Sequence, residues 1–408
     1  MASRPRIAVI SDTAPPTSGG GVGVAHYNLV RALHREGYPV QLFLFFDGGD
    51  LIEDEGELTG LVHRFGTSKR LLKLLRIANG RLFGRLSPGR AAWNVVDIFG
   101  TWPGMLKVNK ALAKFAPDVI VIPDHGAPAL WLRKPKNAEV ILIAHHNPMR
   151  LADMNLEVYS ELDARWAVTL EQRSLRKVSK VISPSRHMQE WFLSTYDFEG
   201  EQAVIPNLVI AEDLQAVPLA SGLRSRLGLP DNAFVICVPS AQAVVKGTRL
   251  LPDILTGLAE KLRRPFGVFI PGELDAEFEK KLPFLPEVVR LYTPGRLTWQ
   301  EYIGLLKSCS LGMFLSLRDN YSMSLVEATH CGVPMVAFDA GGNADIVSHG
   351  VNGLLFDEVD IAKLTDAVAE LADAPEKLEA LRNKCLADAS ERFDSQKIVK
   401  EYLRFIED

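Results

Sequence analysis

Two doubly wound α/β domains in tandem, each a Rossmann-like parallel sheet with helices on both faces, are predicted by three features of this 408-residue sequence. Its apolar runs are short and do not alternate with polar residues, as expected of parallel strands buried on both faces. Segments that are apolar at helical spacing separate them, giving successive strand, helix, strand units. The series also runs twice, with a polar stretch after residue 207 between the halves.

In the first half, "RIAVISD" (6–12) is the opening strand. A glycine-rich turn, "TSGGGVG", leads into "VAHYNLVRALHREG", which stops at Gly37, and "PVQLFLFF" returns as a strand. Strands follow at "DVIVIP", "EVILIAHH" and "KVISPS". Past "AVIPN" (203–207) the second half supplies "FVICVPS", "GVFIPG", "VRLYTP", "LGMFLSL", "PMVAFD" and "GLLFD", and "DASERFDSQKIVKEYLRFIED" reads as a closing amphipathic helix. The predicted organisation is an N-terminal domain 1–206, a C-terminal domain 207–387 and a closing helix 388–408. Ligands of open parallel sheets bind beyond the carboxyl ends of the strands, so two such domains side by side predict a central cleft.

Composition narrows the partners. With 47% hydrophobic and 24% charged residues the chain reads as a globular protein. No apolar run approaches the ~18 residues that a membrane span needs, and Asp12 comes too soon for a signal peptide, so a cytoplasmic location is expected. Cys237, Cys309, Cys331 and Cys385 are too far apart in sequence to suggest a disulfide framework or a zinc site. The net charge of -4 hides an asymmetry: residues 1–206 hold 25 Lys and Arg against 21 Asp and Glu (+4), and the remainder 21 against 29 (-8). Much of the basic excess lies in "RFGTSKRLLKLLRIANGRLFGRLSPGR" (64–90), where Leu71, Leu72, Leu74, Leu75 and Ile77 alternate with Lys69, Arg70, Lys73 and Arg76. Such a basic amphipathic helix either lies on the anionic inner face of a membrane or packs its leucines on its own domain. No nucleic-acid partner is expected.

The polar motifs sit at strand ends. After the strand "LGMFLSL" comes the loop "RDNYSMS", then the helix "LVEATHC", closed by Gly332 with Pro334 beyond. The first turn of that helix presents N–H groups and the positive end of its dipole, a natural seat for a diphosphate. Asp319 and Glu327 bracket the loop, and carboxylates beside a phosphate site suit the hydroxyls of sugars. Each also has a structural reading: Ser324 with Glu327 matches a capping box, and Asp319 suits a plain turn.

The segment "RDNYSMSLVEATHCGVPMVAFDAGGNADIVSHGVNGLLF" resembles the donor-binding signature of family 4 retaining glycosyltransferases of the GT-B fold. The glycine loop, "KGTRLL" and "IPN" resemble further segments of that family, so the resemblance covers nearly the whole chain. It implies transfer of a sugar from a nucleoside-diphosphate sugar to a saccharide or lipid-linked acceptor, in polysaccharide, lipopolysaccharide or glycolipid synthesis, with no cofactor. It places Glu327 on the ribose, Asp319 on the transferred sugar and Lys246 on the departing diphosphate. Residues Asn320, Tyr321, Ser322, Met323 and Ser324 join the donor site, and Gly295 and Arg296 of "TPGR" read the base. Gly20 and Gly21 approach the diphosphate, and His146 or His145 reaches a sugar hydroxyl. Two departures stand out: Asp319 replaces the family's Glu, and Ala241 occupies the place of an Arg, with Gln242 beside it as a neutral donor. No Asp-x-Asp occurs, so no catalytic metal is expected.

Other classes compete on the same architecture. A sugar-nucleotide epimerase, a phosphorylase or a non-catalytic nucleotide-sugar-binding protein would share the fold. A nicotinamide enzyme is disfavoured because "GGGVGVAH" lacks the dinucleotide spacing.

Overall fold

The computed structural model describes residues 4–16, 20–47, 56–66, 94–149, 160–357 and 359–408, with positions 70, 71, 73–75, 77, 78 and 81 between. The chain forms two compact units, one of Met1–Leu208 with Gln396–Asp408 and one of Val209–Ser395.

In the first unit β1 (Ile7–Ser11), β2 (Val40–Leu44), β3 (Val62–Arg64), β4 (Val119–Pro123), β5 (Glu139–Ile143), β6 (Lys180–Ser183) and β7 (Glu201–Val204) form one parallel sheet. Its order is β3-β2-β1-β4-β5-β6-β7. The edge strand β3 was not expected, because three half-buried residues give too short an apolar run to register. The second unit holds β8 (Val235–Cys237), β9 (Phe266–Pro271), β10 (Val289–Gly295), β11 (Leu311–Phe314), β12 (Met335–Phe338) and β13 (Gly353–Phe356). These are also parallel, in the order β10-β9-β8-β11-β12-β13. Each sheet therefore reverses its winding once, between β1 and β4 and between β8 and β11. Connections on the two sides of such a reversal leave in opposite directions and open a crevice at the strand ends.

The absence of alternation in the strands has its cause in the packing. Ile236, Val268, Ile270, Met313, Val336 and Phe338 face one helical layer, against Ile254, Leu258, Leu364 and Val368. Their neighbours Val235, Cys237, Phe269, Phe314, Met335 and Ala337 face the other, against Ile303, Leu306, Leu325 and Val326. Because side chains alternate across the sheet, both parities must be apolar when both faces are covered. Cys237, Cys309 and Cys385 are buried in this unit, Cys331 is half-buried, and all four are free.

The segment 388–408, expected as one closing helix, is divided between the end of Pro375–Arg392 and a separate helix, Ser395–Glu407. From Gln396 onward it belongs with the first unit. Ile398, Val399, Tyr402 and Ile406 are buried there. Lys180 Nζ, itself buried beside β5, donates to the Phe405 carbonyl at 3.1 Å, and the Tyr38 hydroxyl donates to Glu407.

Of the basic segment 64–90, the described positions between 70 and 81 are helical. Lys69, Leu72, Arg76 and the run from 82 to 90 lie outside the described residues. Leu74 and Ile77 are exposed, 64% and 43%, so these two do not pack on the domain. No helix among the described residues is long and apolar enough to cross a membrane. A chain ending at Ser395 uncovers the surface beneath the terminal helix, and calorimetry should show a lowered melting transition for the first unit while that of the second is little changed; an unaltered thermogram would show that the helix is dispensable.

Candidate functional site

In the second unit the site is built from the two strands that flank the winding reversal. The loop after β8 closes in a 3-10 turn, Val244–Lys246, followed by Gly247 at φ +73°. A Cβ on Gly247 would collide with the Leu315 carbonyl, so only glycine lets this turn press against the end of β11. The Leu317 N–H donates to the Val245 carbonyl at 2.9 Å, tying the two loops together. Lys246 Nζ thereby meets Asp319 Oδ2 at 2.7 Å, with the ammonium 5.5 Å from the centre of the Phe314 ring. Asp319 is held from behind by the Gly-Gly motif: the Gly342 N–H donates to its carbonyl at 2.8 Å, and Gly341, at φ +73°, lies against it where a Cβ would collide.

Beyond this loop runs the helix Met323–His330, whose N-cap is Ser322, with no side-chain cap. Ser324 therefore lies inside the helix, and the capping-box reading of Glu327 is corrected. The Glu327 carboxylate instead accepts a hydrogen bond from the Trp299 indole, Nε1 to Oε1, at 2.9 Å. Burial pushes its carboxyl up to about 7, opposed by that bond. Among the other expected donor-site residues, Asn320, Met323 and Ser324 are half-buried around the helix start, Ser322 is buried, and the Tyr321 ring belongs to the apolar core. Gly295, at φ +78°, ends β10 and accepts from the Gly272 N–H at 2.7 Å. Arg296 makes an exposed ion pair with Glu273. Ala241, where the family carries Arg, is fully buried in the core. Gln242 is exposed, and a Cβ on Gly272 would stand 2.6 Å from its Nε2, so its amide lies against the ends of β9 and β10.

The first unit repeats this placement on its own sheet. Gly20 is the N-cap of the helix Gly21–Arg35, and a Cβ on Gly21 would meet nothing within 4 Å. The first turn of this helix carries no acidic residue. At the end of β4, Asp124 Oδ2 accepts from two consecutive backbone N–H groups, those of His145 at 2.8 Å and His146 at 2.7 Å. Burial pushes the Asp124 carboxyl up to about 7 against these hydrogen bonds. The two histidines diverge. His145 bonds Asn207 at 2.8 Å through Nε2 and packs edge-on against His26, whose Nδ1 lies 3.0 Å from Ser11 Oγ. His146 stacks edge-on against His125, which lies 3.8 Å from Asp12. His145 is thus engaged within the unit, and His146 belongs to a polar cluster at the ends of β1, β4 and β5.

Sequence reasoning missed Asp12, His26, Asp124, His125, Asn207 and Trp299. For Asp124 and His125 a signal existed: "PDHG" ends a strand just as "AHH" does. Trp299 carried none, since 28 positions separate it from Glu327. Among the described residues no group of three or more His, Cys, Asp or Glu is placed to hold a metal ion.

Two family models divide the chain: "Glycosyltransferase Family 4" matches residues 19–213 and "Glycosyl transferases group 1" residues 223–385. An MMP alpha-(1->4)-mannosyltransferase of Mycolicibacterium hassiacum is 25% identical over 97% of this chain and 96% of its own length. A D-inositol 3-phosphate glycosyltransferase of Catenulispora acidiphila is 31% identical, but over only 41% of this chain and 42% of that relative. Among solved structures, the sucrose-phosphate synthase of Thermosynechococcus elongatus superposes with a TM-score of 0.75 at 19% identity, covering 98% of each chain. HepE of Anabaena, in complex with UDP-glucose, does so with a TM-score of 0.68 at 20% identity, over 99% of this chain and all of its own. The fold and these matches define a GT-B glycosyltransferase. The chain belongs to family 4 of that class.

Gly341→Ala should cost at least about 1–3 kcal/mol, from the positive φ together with the collision at Asp319, and should sharply reduce glycosyl transfer. Urea unfolding and an activity assay check this; a variant of unchanged stability would show that the Gly-Gly turn tolerates a side chain.

Proposed function

We propose that the protein moves a sugar from a nucleoside-diphosphate sugar to an acceptor hydroxyl with retention at the anomeric carbon, in the synthesis of a polysaccharide, lipopolysaccharide or glycolipid. The observation that carries this reading is the Lys246–Asp319 pair, set at the winding reversal beside an N-terminus without a side-chain cap and a buried Glu327. Such a grouping suits a ligand that is anionic at one end and rich in hydroxyls at the other. The UDP-glucose bound by HepE, whose fold this chain shares, supports the donor class.

In the transition state the sugar becomes cation-like and negative charge gathers on the leaving diphosphate. Lys246 is the ammonium placed to meet that charge, with the start of the helix Met323–His330 adding its dipole. Exchange of the Asp319 carboxylate for a phosphate oxygen would leave Asp319 to accept from a sugar hydroxyl, while Glu327 holds the ribose. Asp reaches one methylene less far than the family's Glu, which the pairing with Lys246 and the Gly-Gly support make the more exacting. The family resemblance gives a sugar hydroxyl to His146, which lies beside His125 in the first unit, with Asp12 next to that histidine. No cofactor or metal enters this scheme.

A panel of UDP-, GDP- and ADP-sugars should contain one donor that raises the melting temperature, since ligand at about 100 times its Kd stabilises by roughly 2.7 kcal/mol. With that donor, turnover should persist in EDTA, fall steeply in Lys246→Met, and give a product whose anomeric configuration by NMR matches the donor. Dependence on added Mg2+, or an inverted product, would overturn the reading.

We also propose a peripheral contact with anionic lipid. Leu74 and Ile77 stand exposed on the basic helical segment, and Phe99 and Trp102 of the helix Asn94–Phe115 are exposed as well. The rings of both pack near Trp131, and Arg133, Lys134 and Lys136 follow it as exposed cations. Aromatic rings beside cations suit the headgroup region. The protein should sediment with anionic vesicles and be released at high salt; equal recovery with neutral vesicles would refute the contact.

A further inference from the structure

Glu327 lies on one helix and its hydrogen-bond donor on another. Trp299 is the first residue of the helix Trp299–Lys307, and that start is fixed by a complete capping box. The Thr298 N–H and hydroxyl both donate to Glu301 Oε2, at 2.9 and 2.7 Å, and the Glu301 N–H returns a bond to Thr298 Oγ1. The indole is further held by packing against the core that contains Ile303, Leu306, Leu325 and Val326. Its N–H is thus presented from a rigid base. An indole only donates, so it can satisfy a carboxylate but cannot accept a proton from a carboxylic acid. It favours the ionised form of Glu327, and it occupies Oε1 alone.

We infer that Trp299 is a positioning residue for the donor: its indole fixes one oxygen of the Glu327 carboxylate and so aims the other, Oε2, at a pair of vicinal hydroxyls. This inference rests on the reading of Glu327 as the ribose partner. Without the indole, a desolvated carboxylate would turn toward other donors or take up a proton, and a protonated acid accepts the diol less well.

The two groups whose own ionisation Glu327 disturbs, Tyr302 and Cys331, both lie far above neutrality, and burial lowers His330 at the end of the Glu327 helix below its ordinary value. On the Trp299 helix, burial holds the Tyr302 hydroxyl well above its usual range. At the end of its own helix, burial pushes the Cys331 thiol up to about 12. Both stay neutral while Glu327 titrates. Donor affinity is therefore expected to be full above about pH 7 and to fall as the pH drops through that value.

The test is a cycle of Trp299→Phe, Glu327→Gln and the double variant, in the full-length protein with the sugar nucleotide selected by the donor panel. Trp299→Phe should raise the donor's Kd and KM about tenfold, the loss expected for a hydrogen bond to a charged group, with kcat within about twofold. The pH midpoint of donor binding should move upward, because the bond that lowers the Glu327 carboxyl is gone. Glu327→Gln should weaken the donor at least several-fold, and adding Trp299→Phe to it should cost little more, since the indole acts through the carboxylate. Additive losses, or a Trp299→Phe defect that tracks a fallen melting temperature with an unmoved pH midpoint, would overturn the inference and leave Trp299 as packing. If Glu327→Gln alone leaves donor affinity unchanged, the ribose reading itself fails; if it weakens the donor while Trp299→Phe does not, only the positioning role fails.

Discussion

A parallel sheet must be covered on both faces, and that requirement governs both halves of this protein. Helices can reach the two faces only if the chain reverses its winding once in each sheet, and the reversals fall between β1 and β4 and between β8 and β11. The crevice opened at each reversal is where loops from two strands can approach one another without a helix in between. Lys246 and Asp319 come from the two strands that flank the second reversal, and Asp12 and Asp124 from those that flank the first. The polar residues are therefore gathered by topology, before any of their own interactions act.

Local backbone chemistry then sets the distances. Gly247 and Gly341 both adopt positive φ, and both lie where a Cβ would strike a carbonyl oxygen, of Leu315 and of Asp319 respectively. One brings the Lys246 turn down onto β11, and the other seats the loop that carries Asp319. The resulting ion pair is partly shielded from water, with side-chain exposures of 30% and 16%, so neither partner is left as an uncompensated charge. Ala241, where the family carries an Arg, is buried in the core and brings no charge to the loop that ends in Lys246.

The two units handle a buried carboxyl in the same physical way. Asp124 and Glu327 are both desolvated to the point where burial lifts them to about 7, and both are opposed by N–H donors. Asp124 takes two backbone N–H groups and so fixes the direction in which His145 and His146 leave β5. Glu327 takes one indole N–H and keeps an oxygen for other use. The first arrangement shapes a loop, whereas the second leaves a directed acceptor.

The sequence alone was enough for the two α/β series, since a strand buried on both faces must be apolar at every position and that run is visible without a partner. It was also enough for the family signature, because Asp319, Glu327, Gly341 and Gly342 lie within one continuous segment. It was blind to β3, whose three half-buried residues make no run, and it read 388–408 as one closing helix, although the segment is divided between two helices and residues 396–408 pack with the first unit. It also left Glu327 between a cap and a ligand contact, and left His145 and His146 unresolved. The surroundings of these residues come from partners far away in the chain: Trp299 for Glu327, Asn207 and His26 for His145, His125 for His146, and Tyr38 and Lys180 for the terminal helix. Local patterns record which face a residue must bury, because burial acts on each residue by its own chemistry. Which side chain supplies a given hydrogen bond depends on two segments meeting in space, and only the tertiary structure decides that.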